Sequence, residues 1–346
     1  MSSRTLAPPS SNTGAERTKP TGLIACCDWL GVTFKNLTER QVIEEVLLLN
    51  PDDFIEMDIG MYGYPLSLRL GNIVILYGGR KEMGVHLSMT GKGCREYENI
   101  GKVPWKALFQ VMLAVDAQFS RLDIALDDHI GYWSINRVVS KVKRNELVSR
   151  FRSAKRIEQV KIGDGSTSGE TVYFGSSTSL IIIRMYNKSL EQQGREGVNP
   201  DTIPEIWNRT EIQSRKERAQ TIAGLIANNI EIGTIVKGIL KYYLRFVVKQ
   251  KTDSNKRRWP VTKWWEHFLK NVEPLSLNQV NEMEASVEKR LTWMRKQVAP
   301  TLAVVIRAMD GEMSAIYDLI QDGMRRLKPR DQAMIRQYQE SIENAG

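Results

Sequence analysis

Ser120-Arg121-Leu122-Asp123-Ile124-Ala125-Leu126-Asp127-Asp128 alternates polar and apolar residues with period two. Successive side chains of a strand point to opposite faces of its sheet. Arg121, Asp123 and Asp127 therefore share one face, while Leu122, Ile124 and Leu126 share the other. Such a strand belongs to a sheet with its core on one side. Two later segments are built the same way. In 180–188, Arg184, Tyr186 and Lys188 share a face, opposed by Ile183 and Met185. In 206–214, Arg209, Glu211 and Gln213 share a face, opposed by Ile212.

Working outward, strands are predicted over 25–34, 67–69, 73–77, 85–89 and 170–175, the last forming a hairpin with 180–188. Thr38 with Gln41 makes a capping-box pattern and opens a helix over 39–49. Further helices are predicted over 104–119, where Pro104 opens the segment, and over 135–151. Beyond 215 the pattern changes to helices over 216–228, 232–250, 261–271, 277–298, 301–324 and 330–343, with no strand. Strands that come in hairpins favour antiparallel pairing. The expected fold is α+β: a mainly antiparallel curved sheet with flanking helices, then a helical C-terminal part. The expected organisation is a disordered tail over 1–20, an α+β domain over 21–215 and a helical C-terminal region over 216–346.

Composition narrows the function. The chain has 346 residues, 42% of them hydrophobic, so it can build a sizeable core. Its apolar runs fall well short of the roughly 20 residues a membrane span needs. The N-terminus has no apolar run of signal-peptide type, so a cytoplasmic location in a bacterium is expected. Cys26, Cys27 and Cys94 are too few for a disulfide framework and lack zinc spacing. A net charge of +9 and a pI of about 9.3 suit a polyanionic partner.

If the three two-faced strands lie in one sheet, their polar faces converge. Two carboxylates, a tyrosine and several cations would then share a surface, an inventory suited to phosphoryl transfer. Asp123 and Glu211 would hold Mg²⁺ or Mn²⁺, hard cations that prefer oxygen ligands, with Asp127 a further candidate. Tyr186 would attack as a phenolate. A free tyrosine titrates near 10, so it needs neighbouring positive charge. Arg184 and Lys188 stand two residues to either side on the same face.

At these residues the chain resembles the trans-acting Rep family of rolling-circle initiators, found in small plasmids and some filamentous phages and related to relaxases of some integrative conjugative elements. Six motifs occur in order. Cys27 to Phe34 resembles the family's first strand, and Gly91-Lys92-Gly93-Cys94-Arg95 its GxGCR turn. Ser120 to Asp128 resembles its RxDxAxDD strand, and Thr171 to Ser176 its TxYxGS strand. Arg184 to Lys188 resembles its RxYxK nucleophile strand, and Arg209-Thr210-Glu211 its RxE strand. Trp264 to Leu269 resembles a WWxxFL segment in part of the family.

The resemblance implies a 5′-phosphotyrosyl link at Tyr186, a free 3′-OH that primes synthesis, and later religation. It implies metal binding by Asp123 and Glu211, and phosphate contacts from Arg184, Lys188 and Arg209, with Lys92 and Arg95 in the GxGCR segment as further DNA contacts. It also implies origin DNA, single- and double-stranded, as partner, together with host helicase and polymerase and a homodimer. The His-x-His metal pair of HUH endonucleases is not among the chain's three histidines, His86, His129 and His267.

Two stretches are dense in cations. Residues 137–161 hold nine Lys or Arg against Glu146 and Glu158. Residues 237–258 hold eight against Asp253, interleaved with Tyr242, Tyr243 and Phe246, with Trp259, Trp264 and Trp265 just beyond. Cations that follow a backbone and aromatics that stack on bases are the parts of single-strand binding. Lys256, Arg257 and Arg258 are candidate origin contacts. The alternative reading is a non-catalytic DNA-binding or regulatory protein on the same scaffold.

Overall fold

In the computed structural model, residues 22–101, 103–194, 200–270 and 294–327 are described, with a few isolated positions besides. Ten strands make one sheet: β1 (Leu23–Phe34), β2 (Ile55–Met57), β3 (Leu66–Leu70), β4 (Ile73–Tyr77), β5 (Val85–Met89), β6 (Gln118–Asp128), then, after the short β7 (Leu147–Ser149), β8 (Ala154–Val160), β9 (Thr167–Phe174), β10 (Ile181–Asn187) and β11 (Asn208–Arg215). Their spatial order is β2-β3-β4-β5-β1-β6-β11-β10-β9-β8, and every neighbouring pair is antiparallel. The expected α+β class holds. The three two-faced strands lie side by side at its centre as β6, β11 and β10.

The apolar face carries the core. Leu122, Ile124, Leu126, Ile183, Met185 and Ile212 are all buried there, each side chain contributing about 1.5–3 kcal/mol by leaving water. Helices α1 (Glu39–Gln41, running on as a π turn over Val42–Val46), α2 (Gly91–Ile100), α3 (Trp105–Ala114), α4 (Ile135–Lys143) and α5 (Lys188–Gln193) are interspersed among runs of strands. Then come α6 (Glu217–Ala227) and α7 (Ile232–Tyr243), which pack against β6. Capping explains several starts. Thr38 and Gln41 form the reciprocal capping box, Thr90 caps α2, and Ser134 caps α4.

Several predicted elements change. The segment read as a GxGCR turn is the first turn of α2. Its glycines answer to close packing: a Cβ on Gly91 would stand 2.9 Å from an Asp28 carboxylate oxygen, and one on Gly93 would collide with the Asn72 carbonyl. The helix predicted over 135–151 stops at Lys143, and the chain turns into β7 and then β8, an edge strand exposed along its whole length. The helix predicted over 232–250 stops at Tyr243, where β12 (Leu244–Phe246) pairs with β7. A strand therefore does occur beyond 215. These short strands carry no alternation long enough to compete with a helical pattern.

Contacts divide the chain into one compact unit ending at Leu277 and a second over the remaining residues. The boundary expected at 215 thus falls inside the first unit, because α6, α7 and α8 (Lys263–Leu269) bury Ile222, Ile239 and Phe268 in its core. In the second unit α9 (Ala299–Ala308) and α10 (Ser314–Arg325) fall within the predicted 301–324 segment, give or take its ends. The predicted tail over 1–20 and most of the helices predicted over 277–298 and 330–343 lie outside the described residues. Among the described residues no helix is long and apolar enough to cross a membrane.

Candidate active site

Strand register builds the site. Across the sheet, Ile24, Asp127, Arg209, Tyr186 and Thr171 form one row. Cys26, Ala125, Glu211, Arg184 and Tyr173 form the next, and Trp29, Asp123 and Gln213 the one beyond. Residues directly opposite on one face have Cβ atoms about 4.5–5.5 Å apart, and long side chains reach diagonal neighbours. Each pairing below follows from this lattice.

Arg209 lies opposite Asp127 and clamps it with two hydrogen bonds, 2.6 Å to Oδ1 and 2.7 Å to Oδ2. Its remaining terminal nitrogen donates to Asp28 Oδ1 at 2.6 Å. Arg184 lies opposite Glu211 and pairs with its Oε1 at 2.8 Å. Tyr186 is diagonal to Glu211, and its hydroxyl donates to Oε2 at 3.4 Å. Arg121 pairs with Asp123 and lays its guanidinium over Trp29, 4.1 Å from the ring centroid. Lys188 opens α5, capped by Asn187, and pairs with Glu191 at 2.6 Å. The Lys188 ammonium and the Arg184 guanidinium stand 5.4 and 5.5 Å from the Tyr186 ring centroid.

These groups line a cavity of about 670 Å³ with Lys92 and Arg95, which come from the first turn of α2. Nine sequence-predicted residues therefore meet around one space: Tyr186, Arg184, Lys188, Asp123, Glu211, Asp127, Arg209, Arg95 and Lys92. Lys256, Arg257 and Arg258 do not join them. They form a 3₁₀ turn beside β7, where Lys256 donates to Asn145 and Arg258 pairs with Asp253. Nor do the interleaved aromatics all face solvent: Phe246, Trp259 and Trp265 are buried, so they cannot stack on bases.

Sequence reasoning missed Asp28. It sits where the register of β1 against β6 shifts between Cys27 and Trp29. A bulge of this kind re-aims a side chain, here toward the cavity. An aspartate inside the otherwise apolar run Cys26-Cys27-Asp28-Trp29-Leu30 was the signal.

Burial dominates the electrostatics. It pushes the Tyr186 phenol well above 10, with Glu211 adding to the rise and Arg209 opposing it. It raises the Asp123 carboxyl against the pull of Arg121 and Arg184. It lifts Glu211 to about 7, opposed by Arg184 and reinforced by the negative charges of Asp123 and Asp28. Asp28, Asp123 and Glu211 thus repel one another at close quarters. Among the described residues no three His, Cys, Asp or Glu side chains stand already gathered as a metal site; the carboxylates lean on arginines instead. The donor chemistry nonetheless fits a hard divalent cation, since buried oxygen donors that repel one another are relieved by such an ion.

Residues 117–322 match the family described as replication initiation factor. Residues 24–111 match the rolling circle replication initiation protein N-terminal domain. NicK of Bacillus subtilis (strain 168), a protein named as a DNA relaxase, is 31% identical over 313 residues, which cover 87% of this chain and 88% of that protein. A solved rolling-circle replication initiator from Geobacillus stearothermophilus superposes with a TM-score of 0.66 at 38% identity, covering 74% of this chain and 98% of its own.

Proposed function

Because this chain belongs to the replication initiation factor family, the rolling-circle initiators, we propose that it nicks one strand of origin DNA through Tyr186, holds the 5′ end covalently, and later religates it. The observation that carries this reading is the Tyr186 hydroxyl, directed at Glu211 and overlooked by Arg184 and Lys188 inside the shared cavity.

The chemistry follows from those groups. The hydrogen bond to Glu211 orients the phenol and gives its proton an acceptor. The phenolate oxygen attacks the scissile phosphorus, the bond from phosphorus to the 3′-oxygen breaks, and the departing 3′-oxygen takes up the proton that Glu211 received, leaving as a free 3′-OH with Glu211 returned to its carboxylate. Reversal of the same step reseals the strand. A buried phenolate is costly, so Arg209, Arg184 and Lys188 are needed to offset its charge and that of the transition state. Mg²⁺ or Mn²⁺, held by Asp123 and Glu211, would polarise the phosphate and neutralise its developing charge. Asp127, clamped by Arg209, and Asp28, which the same arginine also reaches, are further oxygen donors beside them.

The free 3′-OH would prime a host polymerase while a host helicase opens the duplex, in the cytoplasm of a bacterium. A homodimer and origin contacts from Lys256, Arg257 and Arg258 complete the proposal. The likeness to a protein named as a DNA relaxase also favours a second setting for the same chemistry, that of a relaxase.

Tyr186→Phe tests the reading. It should abolish nicking of supercoiled origin DNA and the detergent-resistant protein–DNA adduct while origin binding persists. Undiminished nicking by this variant would overturn it.

A further inference from the structure

The row that holds Tyr186 does not end there. It continues through Thr171 on β9 to Ile157 on β8. The face that carries the nucleophile therefore extends two strands further, onto an edge hairpin whose β8 residues are all exposed. Between this hairpin and α5 lies a second cavity, of about 410 Å³. It shares Arg184, Tyr186 and Glu191 with the first, so the two spaces meet at the nucleophile from opposite sides.

Their linings differ in chemistry. The first gathers carboxylates and cations. The second is lined by Ile157, Gln159, Thr171 and Tyr173, with Lys161 and Glu170 near balance in charge. Apolar surface, one aromatic ring and hydrogen-bonding side chains suit the faces and edges of bases better than they suit phosphates. A phosphate diester that reacts at Tyr186 carries a nucleotide chain on each side, and both chains need a path away from the phenol. One path is the metal-side cavity; the other is this groove.

We propose that the groove between the β8–β9 hairpin and α5 is a base-binding subsite for the DNA strand on one side of the scissile phosphate. Tyr173 is its stacking platform, and Gln159 is placed to read a base edge. The inference rests on the nicking reading and adds the residues that select the substrate. It also gives the hairpin a role in function, since β8 pairs with β9 alone in the sheet and its exposed face is free to meet a ligand.

The test uses the full chain with Mg²⁺ and single-stranded oligonucleotides spanning the mapped nick of the element's own origin. Abasic spacers are placed singly at each position near the nick, and the rate of adduct formation is measured. With the wild type, spacers on one flank should slow the reaction about tenfold, the scale of one lost base–aromatic stack. With Tyr173→Ala the same spacers should do little further harm, and Tyr173→Phe should restore the wild-type pattern. Gln159→Ala, on an exposed strand and away from Arg184, should flatten the preference for base identity on that flank. Spacer and Tyr173→Ala losses that simply multiply would overturn the subsite, as would equal sensitivity on both flanks. Absence of any adduct from the wild type would instead overturn the nicking reading on which it rests.

Discussion

The strands that carry Asp123, Tyr186 and Glu211 and the segment over 237–258 are both dense in charge and aromatic side chains, yet the fold uses them in opposite ways. In the strands, register sets Asp127 beside Arg209 and Glu211 beside Arg184. Charges are buried in pairs around a cavity with a tyrosine among them. In the second segment Phe246 turns inward, Tyr242 and Tyr243 are half-buried, and Trp265 just beyond is buried. Trp265 packs edge-on against Phe246 at 4.9 Å, and its indole N–H donates to the Leu244 carbonyl. Arg245, Lys256 and Arg258 support turns, Arg245 by donating to the Arg257 carbonyl. Similar compositions thus yield a cavity lined by paired charges in one place and a structural corner in the other. What separates them is whether charged side chains are forced by strand pairing to face one another.

This contrast can be broken or sharpened by substitution. The largest effect is expected at Asp123. Asp123→Ala should lower nicking by roughly 10²–10³-fold, the usual scale for losing one electrostatic contributor to a transition state. It should also mimic treatment of the wild type with a chelator. A variant that nicks normally in excess chelator would remove the metal from the proposal and leave Arg121 as the sole partner of that carboxylate.

Trp265→Ala should act on stability, not chemistry. Emptying so large a buried site costs about 3–5 kcal/mol, read as a shift in the denaturant midpoint. Trp265→Phe should keep DNA affinity. A specific loss of single-strand binding by the Phe variant would return this tryptophan to the DNA surface.

Glu211 gives a pH signature in metal-free protein. Its pKa is raised from 4.5 to about 7 by burial, so the folded chain binds that proton more tightly than the unfolded chain. Its favourable contribution is complete below the unfolded value and is lost as pH rises through about 7. Glu211→Gln should therefore gain on the wild type in thermal stability at about pH 8, by up to roughly 3 kcal/mol, and lose that advantage near pH 5. An offset that does not change with pH would place the cost elsewhere.

The smallest effect is expected at Arg257. Arg257→Ala should weaken origin binding a few-fold at most and reduce the slope of binding against salt by about one charge. Nicking of bound substrate should be unchanged. A larger loss confined to one origin sequence would make this turn a base reader.

Much of the site was legible because strand alternation is a local property. Which side chains of β6, β10 and β11 share a face follows from their order in the chain, and the apolar residues between them mark the other side. The hairpin strand β8 was not legible. Its sequence Ala-Lys-Arg-Ile-Glu-Gln-Val is exposed throughout, so no buried face imposes alternation. β12 was hidden for a related reason: three residues at the end of α7 extend a helical pattern as well as they start a strand. Trp259 and Trp265 could not be assigned to core or surface by spacing alone.

The amino-acid order by itself determined that Tyr186 would stand among cations on a polar strand face, since Arg184 and Lys188 are its neighbours two positions away. The tertiary structure decided which charges it meets. Antiparallel pairing placed Arg209 against Asp127 and Arg184 against Glu211. A bulge in β1 brought in Asp28, more than 90 residues earlier in the chain. The sheet's continuation onto β9 and β8 opened the groove on the far side of Tyr186. The physical reason is the same in each case: side-chain direction is set within a strand, but partners are set by register between strands, and register is a property of the folded sheet.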